Sequence, residues 1–86
     1  MSKSILHLDL HPLAKDGRAV DQALRDIFQE AIRKQVRAIE IIPGKGSGQL
    51  RLRVLKWLRQ GPIKQHYHRL EIDSKNHGRL FVHFRW

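Results

Sequence analysis

Two short stretches hold residues whose types and spacing suit phosphate chemistry. Asp9 and His11 stand two apart at the end of the alternating run Ser4-Ile5-Leu6-His7-Leu8-Asp9-Leu10-His11. A carboxylate orients water or a hydroxyl or binds a divalent cation, and an imidazole titrates near neutral pH, so the pair suits an acid/base set or a metal-binding set. The same two side chains also suit a plainer role at a strand end, solvated or capping the next turn. The second stretch is Gly44-Lys45-Gly46-Ser47-Gly48, between Ile41-Ile42-Pro43 and Gln49-Leu50-Arg51. Glycines let a backbone approach a ligand closely, and the unpaired amides that open a helix lie at the positive end of its dipole, so such a loop can cradle a phosphate. It is not a Walker A loop, because no Ser or Thr follows Lys45. A tight turn is the simpler alternative.

The elements around these stretches must bring them together. Leu6, Leu8 and Leu10 alternate onto one face of a first strand, with His7, Asp9 and His11 on the other. Pro12 biases His11 to an extended conformation and ends ladder pairing there. Asp16 is a candidate N-cap, and Val20, Leu24, Ile27, Phe28 and Ala31 recur at helical spacing, which predicts an amphipathic helix over about Gly17 to Gln35. Its acids come early and its bases late, complementing the helix dipole. Ala38-Ile39-Glu40-Ile41-Ile42 is a β-branched run ending at Pro43, a buried strand. Strand, helix, strand makes two parallel strands, so Asp9, His11 and the glycine loop fall on one edge of the sheet, the edge where open α/β sheets usually bind ligands.

Beyond the loop, Leu50, Val54, Trp57 and Leu58 form the apolar stripe of a second helix, while Arg53, Lys56 and Arg59 step by three along another side. Gly61-Pro62 is expected to end it. Leu70 and Ile72, then Leu80, Val82 and Phe84, alternate on either side of Ser74-Lys75-Asn76-His77-Gly78 and predict a hairpin. His66, His68, His77 and His83 lie in or near it, at spacings that match no metal-ligand pattern.

Composition narrows the class. An 86-residue chain with 41% apolar and 29% charged residues is expected to form a single domain, residues 1–86, with one core. It has no cysteine, which excludes disulfide staples and zinc-thiolate sites. No run approaches a membrane span and Met1-Ser2-Lys3-Ser4 lacks a signal-peptide apolar region, so a cytoplasmic protein without a membrane partner is expected. The net charge of +9 is unevenly placed: residues 1–42 carry seven Lys/Arg against six Asp/Glu, residues 43–86 ten against two. From Lys45 to Arg69 there are seven basic residues and no acid, the footprint of a protein that meets a polyanion.

The order β-α-β-α-β-β, with Leu8-Asp9-Leu10-His11 closing strand one and Gly44-Lys45-Gly46-Ser47-Gly48-Gln49-Leu50-Arg51 opening helix two, resembles the Smr (small MutS-related) domain over nearly the whole chain. The resemblance implies a two-layer α/β sandwich, a mixed four-stranded sheet with two helices on one face, similar to the C-terminal domain of bacterial translation initiation factor three. It also implies a nucleic-acid-binding module which in several family members nicks DNA or cleaves RNA. Carried over by position, the site is Asp9, His11, Gly44, Lys45, Gly46 and Gly48. Two departures from the family pattern are Pro12, where Gly is usual, and Pro43, where His or Thr is usual; Pro43 has neither a titratable group nor an N–H donor. Asp9 and His11 are therefore the expected catalytic pair, and Gly44, Lys45, Gly46, Ser47, Gly48, Arg51, Arg53 and Lys56 the expected contacts to DNA or RNA. Asp9 is also the candidate ligand for Mg²⁺ or Mn²⁺. Glu40 is the only other acid of the first two strands, so a single metal or none is expected. The alternative is a non-catalytic binding module working beside a partner protein, and in either case a monomer is expected.

Overall fold

A computed structural model describes residues 4–44, 48–73 and 78–86. The chain runs β1 (Ile5–Asp9), a 3-10 turn (His11–Leu13), α1 (Gly17–Lys34), β2 (Ala38–Ile42), α2 (Gln49–Leu58), α3 (Gly61–Lys64), β3 (Tyr67–Asp73) and β4 (Arg79–Phe84). The four strands form one sheet in the order β1-β2-β4-β3. β1 and β2 are parallel, with Asp9 opposite Ile42, and β4 runs antiparallel to both β2 and β3. The expected mixed four-stranded α/β sandwich is the fold observed.

Period-two alternation decides which side of the sheet the helices cover. Ile39, Ile41, Leu80, Val82 and Phe84 join Val20, Leu24, Phe28 and Ala31 of α1 and Val54, Trp57 and Leu58 of α2 in one core. Phe28 meets the edges of Trp57 and Phe84 at ring-centroid distances of 5.1 and 5.5 Å, locking both helices onto that side. The opposite side carries His7, Asp9, Glu40, Phe81, His83, Arg69 and Glu71 and has no helix over it.

Helix ends follow side-chain chemistry. Asp16 caps α1 as expected, its carboxylate accepting from the N–H groups of Arg18 and Ala19 at 3.1 and 3.2 Å. α1 stops at Lys34, one residue short of the expected end, because Gln35 turns left-handed at φ 51° and donates its N–H to the carbonyls of Ala31 and Ile32.

Two local expectations are corrected. His11 is not extended on the polar face of β1 but opens a 3-10 turn, with Pro12 seated where a missing N–H is tolerated. The Asp9 carboxylate accepts the His11 N–H at 2.9 Å and closes this turn, which outweighs the extended bias of a residue before proline. Leu10 is thereby turned fully into the core. Likewise Gly61-Pro62 does not end α2, which stops at Leu58; it opens the four-residue α3, a third helix that the apolar pattern was too short to signal.

Candidate nucleic-acid interface

Parallel pairing of β1 and β2 places Asp9 and Ile42 side by side, and β3, which runs the same way, brings Asp73 to that edge too. The start of α1, the start of α2 and the beginning of β4 therefore converge on the C-terminal edge of the sheet. The Leu10 N–H extends the ladder by donating to the Ile42 carbonyl at 2.9 Å, which fixes the 3-10 turn beside the strand that leads into the glycine loop.

His11 and Gly44 meet here. Gly44 has φ +87°, and a Cβ built on it would lie 3.0 Å from His11 Cδ2 and 3.2 Å from His11 Cβ. The imidazole thus lies on the bare backbone of the first loop glycine, and any side chain at that position would displace it. Gly48, at φ +86°, is the N-cap of α2, and its carbonyl accepts the Leu52 N–H at 3.0 Å. It offers no side-chain cap, so the first amides of α2 have no side-chain acceptor from their N-cap. Lys45, Gly46 and Ser47 lie outside the described residues.

The basic side chains expected to contact phosphate divide into two kinds. Arg53 is committed: its Nε and Nη2 donate to Asp21 Oδ1 and Oδ2 at 3.1 and 2.9 Å, a two-pronged bridge from α2 to α1. That hydrogen-bonded pair, and the Asp21 charge behind it, raises the Arg53 pKa above the ordinary guanidinium value. Its guanidinium crosses the first residue of α1, where a Cβ on Gly17 would come within 2.7 Å of it. Arg51 and Lys56, by contrast, form no ion pair among the described residues. Arg51 reaches from the first turn of α2 toward the start of β4, lying against Gly78.

Sequence patterning alone passed over Glu40. It is only 8% exposed although no helix covers it, because His7 from β1 and Arg79 from β4 close over it: Glu40 Oε1 lies 2.7 Å from His7 Nδ1, and Oε2 accepts from Arg79 Nη1 at 3.1 Å. A single acid inside an otherwise β-branched strand was the available signal, since a buried carboxylate must be paired. Nearby, His83 Nε2 lies 3.0 Å from Glu71 Oε1, which occupies it as a partner within the sheet.

Asp9 is the carboxylate that lies beside His11 at this edge. Among the described residues no three His, Asp or Glu side chains come together, and Asp9 already spends Oδ1 on the His11 N–H. A divalent cation held by Asp9 would draw further ligands from water and phosphate.

The described residues contain no helix long and apolar enough to cross a membrane. No curated protein and no solved structure matches the chain significantly. A family model, described as the Smr domain, matches residues 8–85, a span that takes in Asp9, His11, Gly44, Arg51 and Gly78. The chain belongs to the Smr domain family.

Proposed function

We propose that this domain binds the phosphodiester backbone of DNA or RNA across the C-terminal edge of its sheet and cleaves it there. The observation that carries this is the seating of the His11 ring on Gly44, which joins the Asp-x-His pair and the glycine loop into one surface beside the start of α2. Amides at the opening of α2, with Arg51 and the Lys45 that sequence places in the loop, would hold a phosphate and stabilise charge growing on its oxygens. His11 would take the proton of the attacking water or ribose hydroxyl as that oxygen bonds to phosphorus and the P–O ester bond breaks, the leaving oxygen taking a proton from solvent. Asp9 holds the His11 backbone N–H with Oδ1, and the charge on its carboxylate would orient the attacking water or hydroxyl or hold a divalent cation.

A binding module without cleavage is the second reading, and one observation favours it. The Asp9 carboxylate serves the turn, a structural use that needs no chemistry.

Purified protein incubated with labelled duplex DNA, branched DNA and structured RNA, in Mg²⁺, Mn²⁺ or EDTA, tests both. For a nuclease, His11→Ala should lower the cleavage rate and change its pH dependence. Asp9→Asn keeps an oxygen to accept the His11 N–H while removing the charge, so it should abolish cleavage yet leave binding equal or tighter. Wild-type protein that binds but never cleaves above the EDTA control leaves the binding module standing.

A further inference from the structure

Arg51 rests on Gly78, and nothing in the β-α-β half of the chain accounts for it. Gly78 is buried at the start of β4 with φ +73°, and a Cβ built there would lie 3.0 Å from Arg51 Nη1, 3.2 Å from Cδ and 3.8 Å from Cζ. The side chain from the first turn of α2 therefore lies against Gly78, just before β4. Two neighbouring guanidiniums are tied down, Arg53 by Asp21 and Arg79 by Glu40, while Arg51 has no ion pair among the described residues.

We infer that Gly78 is a positioning residue: its missing side chain makes the seat that holds the Arg51 guanidinium ready for a backbone phosphate, so that the nucleic-acid surface extends from Gly44 past the start of α2 to Gly78. The inference rests on the proposed nucleic-acid binding. An arginine freezes several rotatable bonds when it grips a ligand, and holding it beforehand lowers that entropic cost. The planar fork then meets two phosphate oxygens at once. Two side chains of the site are thus laid on left-handed glycines, His11 on Gly44 and Arg51 on Gly78. The second glycine comes from a part of the chain that carries no recognised motif.

The test titrates wild type, Arg51→Ala, Arg51→Lys, Gly78→Ala and the Arg51→Ala/Gly78→Ala double variant against a labelled DNA duplex and a labelled RNA hairpin over a range of salt, with thermal melts alongside. Arg51→Ala should flatten the plot of log affinity against log salt on duplex DNA by about 0.9, the share of a single neutralised phosphate. Arg51→Lys should keep the slope but bind more weakly. Gly78→Ala should weaken binding in the wild-type background and add nothing in the Arg51→Ala background. Should alanine at φ +73° unfold the protein, Gly78→Asn relieves the backbone strain while keeping the obstructing Cβ. In the unaltered protein a nuclear Overhauser effect between the Arg51 δ-hydrogens and the Gly78 α-hydrogens is expected. Its absence overturns the seat, as does an equal weakening by Gly78→Ala in both backgrounds. Wild-type protein that binds neither probe overturns the proposed function itself, and the seat with it.

Discussion

The two sides of the molecule handle charge in opposite ways. On the uncovered side of the sheet the acids in the middle of β2 and β3 are paired: Glu40 with His7 and Arg79, and Glu71 with His83 and, at 3.9 Å, Arg69. Around α2, Arg51, Lys56 and Arg59 have no ion pair among the described residues, and only Arg53 is neutralised. A sheet face that is paired internally has little field to offer a polyanion. An unpaired cationic stripe beside open helix amides has a great deal, because binding there releases counterions without first breaking a salt bridge. The excess of positive charge thus sits on the helix side and the loop edge, and the stacked Phe81 and His83 rings on the other side are surrounded by compensated charge.

The most severe way to break this contrast is to reverse the unpaired side. Lys56→Glu with Arg59→Glu should leave the thermal melt close to wild type and reduce duplex affinity, with a salt slope lower by roughly 0.9 for each phosphate that is no longer neutralised. An unchanged titration would move the interface away from α2. Next in size is Glu40→Gln, which leaves the Arg79 guanidinium and the His7 ring over a site built for a carboxylate. Removing charge-assisted bonds to half-exposed partners should cost about 1–2 kcal/mol by chemical denaturation. The same change frees Arg79 and should tighten nucleic-acid binding, so the paired face would begin to resemble the unpaired one.

A smaller effect is expected at Tyr67, whose hydroxyl donates to the Leu58 carbonyl at 2.8 Å and ties β3 to the end of α2. Tyr67→Phe should cost about 1 kcal/mol. Burial raises the Tyr67 pKa above its ordinary value, with the Arg59 charge pulling the other way. The folded protein therefore holds that proton more tightly than the unfolded chain does. The stability this contributes is complete below about pH 10 and is lost as pH climbs through the folded value, a decline that Tyr67→Phe should remove from an alkaline denaturation series. The smallest change belongs to Asp21→Asn, which leaves Arg53 unpaired: the fold should scarcely respond, while duplex binding should gain in salt dependence as one more cation is released.

Much of this architecture was legible because it rests on periodicity. Leu80, Val82 and Phe84 alternate into the core, and Val54, Trp57 and Leu58 recur every turn, so element types and the shared edge of Asp9 and Gly44 follow from spacing alone. That Asp9 could cap a turn was legible, but that His11 itself opens the turn was not, since a proline that usually holds its predecessor extended is here overruled by one carboxylate hydrogen bond. Pairings between distant side chains were not legible either. Arg53 reads as one more member of a basic stripe, and only the packing of α2 across α1 reveals that Asp21 has claimed it. Gly78 reads as a hairpin glycine, and nothing near it in the chain signals that an arginine twenty-seven positions earlier lies on it.

The strand order also sets how the domain must assemble. β3 and β4 pair across short separations, Asp73 with Arg79 and Leu70 with Val82, so this hairpin closes at little entropic cost. β2 has no such neighbour: its residue Ala38 must find Ile5 on one side and His83 on the other, each more than thirty positions away. The central strand is therefore the last to gain partners on both flanks, and the site edge, which needs β1 and β2 side by side, exists only once that slow, non-local step is complete. Substitutions in the β3–β4 hairpin should chiefly alter the folding rate, whereas those in β1 should speed unfolding, leaving the edge that carries Asp9 and Gly44 the first part of the domain to come apart.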